Sequence, residues 1–374
     1  MTSSIDSDRA VRLLLVGAGG MGRRWVRAVA SVPGAELAAI ADLDSAAAAE
    51  AAALAAELGL GQVPTGSGVS DLAADTGADA VLDVTVPPAH HPVTTEALFA
   101  GLPVLGEKPA AQTVAETLSL AAASEATGKL FMVSQSRRYN RKFTRLRSLA
   151  SELGRIGSVT HTFAKAPRFG GFREAMAQPL LVDMAIHQFD MSRALLGGDP
   201  VSVYCESYNP PWSWYDGDAA ANAVFVFEDG VRFSYSGSWC APGDETSWNG
   251  DWRVSAAEGT ARWDGDHQPT ALRGDGSVVE TPGPEDGAED VEGALTEFVA
   301  ALRDGSVPQG EVHDNVVSLA MVEAAVLSAD SKVPVRIADV LERAHQEALA
   351  AETREEVRAR LREWSTPVGE RPQA

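Results

Sequence analysis

The apolar positions of the first 134 residues fall into short unbroken runs separated by alanine-rich or polar stretches, the rhythm of buried parallel strands alternating with helices. Residues 11–16 (Val-Arg-Leu-Leu-Leu-Val) read as a strand. They lead into a glycine-punctuated segment over 17–22, a helix over 21–31, Pro33-Gly34 and a second strand over 36–41. A helix of mostly alanine and glutamate is predicted over 45–58, with Gly59 as its stop. Further strands are predicted over 80–86, ending at Pro87-Pro88, and over 102–105, ending at Gly106-Glu107-Lys108-Pro109. Residues 130–133 read as the last strand of the sheet. The fold class that follows is α/β, with an N-terminal doubly wound parallel sheet.

From about residue 135 the texture changes to a basic helix, an irregular glycine-containing stretch around 167–179, a second helix, and alternating strands from 200 to 280. Residues 223–227 and 231–235 alternate apolar and polar about Glu228-Asp229-Gly230, which predicts a β-hairpin and hence a second domain on an antiparallel sheet. Residues 281–290 are rich in Pro, Gly and acid and read as a loop. Helices are predicted at about 291–303 and 312–330, followed by one charged, alanine-rich helix over 339–364 and a disordered end. No internal repeat is visible.

The segment Gly17-Ala18-Gly19-Gly20-Met21-Gly22 matches G-x-G-x-x-G between a strand and a helix. Gly17 permits the tight turn, Gly19 lets the backbone approach a pyrophosphate, and Gly22 lets helix and strand pack closely. The helix N-terminus behind Gly20 and Met21 offers free N–H groups and a positive dipole end to an anion. Asp42 follows the second strand, twenty residues after Gly22, where a carboxylate accepts hydrogen bonds from ribose hydroxyls. Its neighbour Leu43 is not basic, so the pattern favours NAD over NADP, although Arg23 and Arg24 lie nearby in the helix.

Composition narrows the partners. The chain has 374 residues, 45% of them hydrophobic, and a formal net charge of −21, which disfavours polyanions such as nucleic acid and anionic membrane. A small molecule is the expected partner. The first eight residues lack the basic start and apolar core of a secretory signal, and no run approaching 18–20 apolar residues is read as a membrane span. Cys205 and Cys240 are too few for a disulfide scaffold or a cysteine-rich metal site, and a reducing cytoplasm is the expected location.

Two distant segments carry candidate chemistry. Glu107-Lys108-Pro109 ends a sheet strand, the end at which open α/β sheets bind ligands. Asp183, His187 and Asp190 are spaced by four and three, which predicts one shared helix face. Oxidising an alcohol requires a base for the hydroxyl proton as hydride leaves, and His187 suits that task; a lysine ammonium on the same oxygen stabilises the developing charge. Asp183 would orient the imidazole or contact a substrate hydroxyl. Asp190 would support the helix. No third strong ligand accompanies the Asp and His, so no metal is expected.

These elements resemble the glucose-fructose oxidoreductase and inositol dehydrogenase family of two-domain oxidoreductases. The resemblance rests on residues 17–22, Asp42, residues 85–91, Glu107-Lys108-Pro109, residues 136–140 and residues 183–190, and it runs to about residue 335. It implies a Rossmann domain over residues 1–134 and an α/β substrate domain with a large, mostly antiparallel open sheet over 135–338; a helical tail over 339–374 follows. It implies Lys108, Asp183 and His187 as the catalytic group, with Thr85, Pro87, His91 and Glu107 lining the cofactor beside the glycine turn. Arg138, with Arg137 as its neighbour, would border the substrate pocket. The activity implied is NAD-dependent oxidation of a secondary hydroxyl of a sugar or inositol-like polyol, in a homo-oligomer formed through the sheet. A keto-sugar reductase or cofactor-recycling enzyme, and a cofactor-sensing protein without turnover, are the alternatives.

Three features stand beside that resemblance. The basic run Arg137, Arg138, Arg141, Lys142, Arg145 and Arg147 reads as a solvated helix face or as a contact to a phosphorylated substrate. Six of eight tryptophans lie between Trp212 and Trp263, placed either to stack on a sugar or to fill a subunit interface. The tail is longer than the family pattern and reads as an oligomer arm.

Overall fold

The computed structural model describes residues 9–280 and 286–372. The expectations for residues 1–8, for the 281–285 part of the acidic loop and for residues 373–374 lie outside these. The chain folds as two compact units, one drawn from the described parts of Met1–Ser136, Ala288–Val316 and Leu341–Ala374, the other from Arg137–Gly287 and Val317–Val340. The division is thus discontinuous, where the sequence pattern suggested three consecutive segments.

The first unit begins with β1 (Val11–Val16), α1 (Gly20–Ser31), β2 (Ala35–Ala41), α2 (Ser45–Glu57), β3 (Thr65–Gly66), α3 (Ser70–Thr76), β4 (Ala80–Asp83), α4 (Pro87–Phe99), β5 (Val104–Glu107), α5 (Val114–Thr127) and β6 (Phe131–Ser134). The strands pair in parallel in the order β3-β2-β1-β4-β5-β6, a doubly wound sheet whose order reverses between β1 and β4. Val11, Leu13, Leu14, Leu15, Val81 and Leu82 are fully buried, as strands covered on both faces require. The fourth strand stops at Asp83, three residues short of the predicted end. Pro87 and Pro88 open α4 rather than closing a strand, because proline at the first helical positions loses no hydrogen bond there.

The second unit contains α6 (Arg141–Ser151), β7 (Ile156–Ala164), a π-helical turn at Leu180–Met184, α7 (Ala185–Leu196), β8 (Pro200–Tyr208), β9 (Ala220–Phe227), β10 (Arg232–Ser238), β11 (Asp251–Ala256), β12 (Gly259–Trp263) and β13 (Thr270–Arg273). After β13 the chain continues as α8 (Asp290–Asp304) in the first unit, α9 (Val312–Ser331) running from the first unit into the second, β14 (Val335–Arg336) in the second, α10 (Ile337–Ala351) returning to the first, and α11 (Glu355–Glu363) in the first. The eight strands order as β13-β12-β11-β7-β10-β9-β8-β14, antiparallel except where β7 meets β10. The predicted hairpin is β9–β10, with Phe225 opposite Phe233 and both Asp229 and Gly230 at positive φ.

Register explains the tryptophan cluster. Cys205, Ala223, Tyr235, His161, Trp252 and Trp263 form one row across six strands, and all six side chains are buried. His161 stacks on Tyr235 and meets Trp252 edge-on, and burial lowers its pKa to about 3. Trp239 is buried as well, whereas Trp212 and Trp248 are exposed. Half of the cluster is therefore the core of this unit.

Helix α9 is long and apolar enough to cross a membrane by length and composition, contrary to the expectation that no segment is; 78% of its apolar window is buried within the protein, as in a core helix. The tail is two helices broken at residues 352–354. From Leu341 on it is part of the first unit and not a free arm: Ser119 on α5 donates to Glu352, and the Trp364 indole N–H reaches Glu125. Glu125 also accepts from the buried His313, whose other nitrogen meets Glu311 at 2.7 Å.

Burial alone would lower the His313 pKa, but Glu125 and Glu311 override it and hold it at about 9. A histidine raised from 6.5 in this way stabilises the fold fully below about pH 6.5 and ceases to do so as pH rises through about 9. Urea titrations of the wild type and His313→Gln should therefore differ by about 3 kcal/mol near neutral and acid pH, converging in alkali. A gap that stays constant with pH would show the ring to be uncharged in the fold.

Candidate functional site

The glycine turn is built on two approaches too close for any side chain. A Cβ on Gly17 (φ +97°) would stand 2.5 Å from the Val84 carbonyl oxygen, and one on Gly22 would stand 2.1 Å from that of Gly17. These contacts draw the ends of β1 and β4 and the start of α1 together. A Cβ on Gly19 or Gly20 would meet no protein atom within 4 Å, so nothing inside the chain demands glycine there. The open face lies at the α1 N-terminus, which carries no side-chain cap.

Asp42 stands at the end of β2, and its two carboxylate oxygens accept from the backbone N–H groups of Ala18 (2.6 Å) and Asp44 (2.8 Å). Each oxygen keeps lone pairs for further donors. Arg24 is committed to Glu292 on α8, and Arg23 reaches Ala18 O and Glu50. Around the turn Met21, Leu43 and Val86 expose 48%, 94% and 60% of their surface, an apolar rim beside fixed polar anchors. A bare glycine cradle, a helix N-terminus, an oriented carboxylate and exposed apolar edges fit a dinucleotide with two flat heterocycles.

The next strands supply the other wall. Asp83 is fully buried and accepts from Thr85 N–H and Oγ and from Thr94 Oγ; burial pushes its carboxyl pKa up against those bonds. Glu107 is the last residue of β5. It accepts from the Trp25 indole N–H (2.9 Å) and from Lys108 N–H, which fixes the chain just before Lys108.

His91 does not line this wall. Its ring turns to Ser119 on α5, next to Glu352, and burial lowers its pKa. His90, one helical step of roughly 100° away, is the buried ring between Thr85 O (3.1 Å) and Pro109 O (2.7 Å). Reading Pro87 as a helix start would have separated the two histidines by face. Trp25 and Asp83 carried no sequence signal beyond apolar periodicity.

A cleft of about 750 Å³ within this unit lies at the opposite end of the sheet. Asp79, Pro103 and Leu130, which line it, precede β4, β5 and β6. Ligands of open α/β sheets bind beyond the carboxyl ends of strands, so this cleft is not the nucleotide site.

In the second unit, Ala185 N–H bonds to Leu180 O, five residues back, and opens the π turn that holds Asp183. Asp183 and His187 are both half-buried. Asp190 does not share their face: it is 1% exposed and receives Nε and Nη2 of Arg138, each at 2.7 Å, together with Ser318 Oγ. Arg138, assigned above to a pocket border, is itself buried and bound in this pair. Arg193 extends the network to Ser318 and Asp199.

Asp183 receives Arg173 Nε at 2.6 Å, a partner from the irregular stretch that nothing in the sequence marked. The basic run is largely bonded to protein: Arg137 to Trp248 O, Lys142 to Asp266 O and Arg138 to Asp190. Neither a wholly solvated face nor an open phosphate site describes it.

Family models match both parts of the chain: an oxidoreductase family with an NAD-binding Rossmann fold over residues 11–135, and the GFO/IDH/MocA C-terminal domain over residues 143–262. The chain is 34% identical over 200 residues to inositol 2-dehydrogenase 1 of Saccharopolyspora erythraea, covering 52% of this chain and 56% of that one. It is 27% identical to D-apiose dehydrogenase of Paraburkholderia graminis over 84% of this chain and 86% of that one. An oxidoreductase from Agrobacterium radiobacter, solved with NAD+, L-tartaric acid and magnesium, superposes with a TM-score of 0.78 at 19% identity over 87% of this chain and 98% of that one, a likeness of fold.

Replacing Asp190 by Ala leaves Arg138 buried without its counter-charge, and denaturant titration should register a loss of about 3 to 5 kcal/mol. A loss under about 1 kcal/mol would mean that the guanidinium finds water or another partner.

Proposed function

The chain belongs to the GFO/IDH/MocA family of NAD-binding sugar and polyol oxidoreductases, and on that premise we propose that it oxidises a secondary hydroxyl of a sugar or inositol-like cyclic polyol. NAD, when bound, accepts the hydride. Its binding residues are Gly17, Gly19, Gly20, Met21, Gly22, Asp42, Thr85, Pro87, Glu107 and Lys108. The observation that carries the reading is that one sheet edge holds both the glycine cradle with its anchored Asp42 and, one residue past β5, Lys108.

His187 takes the hydroxyl proton, because an imidazole is basic enough to accept it near neutral pH and to pass it on to water. The Lys108 ammonium donates to the same oxygen and stabilises the charge that develops as the C–H bond breaks. Asp183, held by Arg173, orients the imidazole or a neighbouring substrate hydroxyl. Arg138 acts indirectly, through Asp190 and the packing of α7.

The preference is for NAD over NADP. A 2′-phosphate at Asp42 would meet a carboxylate, while Arg24 is engaged by Glu292. The two buried free cysteines suit a reducing cytoplasm. A row of outward side chains on the eight-stranded sheet, Tyr204, Val224, Ser234 and Thr160, supports a homo-oligomer through that face.

The test is NAD reduction across inositols, aldoses and glycosides, with NADP as control. On the substrate found, His187→Ala and Lys108→Ala should each lower kcat by about 10²- to 10⁴-fold, with cofactor affinity near wild type in His187→Ala and weakened in Lys108→Ala. Turnover by either variant within about threefold of wild type removes that residue from the chemistry. Asp42→Ala should weaken NAD about tenfold or more and narrow the gap to NADP; an unchanged cofactor ratio would contradict the role of Asp42.

A further inference from the structure

His90 is 2% exposed, and each of its ring nitrogens faces a backbone carbonyl: Nδ1 stands 2.7 Å from Pro109 O, and Nε2 stands 3.1 Å from Thr85 O. Carbonyl oxygens only accept, so a ring nitrogen that bonds to either one does so through its N–H. The two carbonyls belong to separate segments, one following β4 and one following β5. Each is already held from its other side. Asp83 binds the N–H and hydroxyl of Thr85, and Trp25 binds Glu107, whose second oxygen takes Lys108 N–H. Lys108 is thus strung between two anchors, the Glu107 carboxylate before it and the Pro109 carbonyl after it. A leucine would fill the same volume, but would tie neither segment to the other.

We propose that His90 is a positioning residue for the reaction: by joining Thr85 O to Pro109 O, it fixes the cofactor-facing turn after β4 against the segment that bears Lys108, and so sets where the Lys108 amine stands. The proposal rests on the roles given above to Thr85 and Lys108. It assigns the two ring nitrogens different work. The Nδ1 contact governs Lys108 and hence the chemical step, and the Nε2 contact governs Thr85 and hence cofactor affinity.

An amide separates the two. His90→Asn keeps a donor near the place of Nδ1, and His90→Gln keeps one near that of Nε2. In the full-length protein, His90→Gln should hold NAD affinity within about threefold but lose kcat by about tenfold or more, since small misplacements of a reacting group cost that much. His90→Asn should hold kcat and weaken NAD binding. A second readout needs no substrate. The chain has five lysines, so reductive ¹³C-methylation gives few NMR signals, and Lys108→Arg identifies that of Lys108. The Lys108 signal should shift in His90→Gln and stay in place in His90→Asn. The proposal is overturned if both variants keep kcat and NAD affinity, if both lose the two in equal proportion, or if the Lys108 signal is indifferent to either change. Should the wild type oxidise no sugar or polyol, the proposed function fails, while the Lys108 signal and NAD affinity still decide the role of His90.

Discussion

Everything at the carboxyl edge of the parallel sheet depends on backbones that meet with no room for a side chain between them. Gly17 lies against Val84, and Gly22 against Gly17, at separations that any Cβ would violate. These contacts, rather than the glycines as such, bring the ends of β1 and β4 and the first turn of α1 to one place. With the turn drawn in, Ala18 N–H reaches Asp42, and the carboxylate is held in the orientation a ribose would need. The neighbouring glycines, Gly19 and Gly20, press on nothing in the protein, which leaves the helix N-terminus bare for an anion.

The two units stabilise their polar groups in different ways, and the difference follows from what each must present. In the first, the segments after the strands are fixed by side chains bonded to backbone: Asp42 to Ala18, Asp83 to Thr85, Trp25 to Glu107, His90 to Thr85 and Pro109. Such bonds set the positions of loops to fractions of an ångström without placing bulk at the edge. In the second, a buried ion network of Arg138, Asp190, Ser318, Arg193 and Asp199 anchors α7 from below. The π turn above it leaves Asp183 and His187 half-exposed. The groups read as reactive are therefore carried on elements whose other polar atoms are already satisfied.

Much of this was legible in the chain. Strands 11–16 and 36–41 and the helices near 291–303 and 312–330 were within a residue or two of their observed bounds, because buried runs and amphipathic periods leave little choice. The strand after residue 80 ends three residues earlier than its apolar run because Pro87-Pro88 starts a helix, and His91, which the family motif points to, turns its ring to Ser119 while His90 holds the wall. A spacing of three sets Asp190 only about 60° round α7 from His187, which reads as a shared face, and burial alone distinguishes the two. The tail was taken for one helix and an oligomer arm, since alanine-rich sequence conceals a break at residues 352–354 and says nothing of what Trp364 touches. Long-range partners such as Arg173 for Asp183 leave no local trace.

Hydride transfer from a carbinol carbon is followed directly by isotope. A polyol or sugar substrate deuterated at the carbinol carbon is incubated with the protein and NAD, and the reduced nucleotide is examined by NMR. Deuterium is expected at C4 of the nicotinamide, on one face only, and to accumulate about 10²- to 10⁴-fold more slowly in His187→Ala. Cofactor that binds at Asp42 and the glycine turn, yet never gains the label from any carbinol carbon, would contradict the proposed transfer.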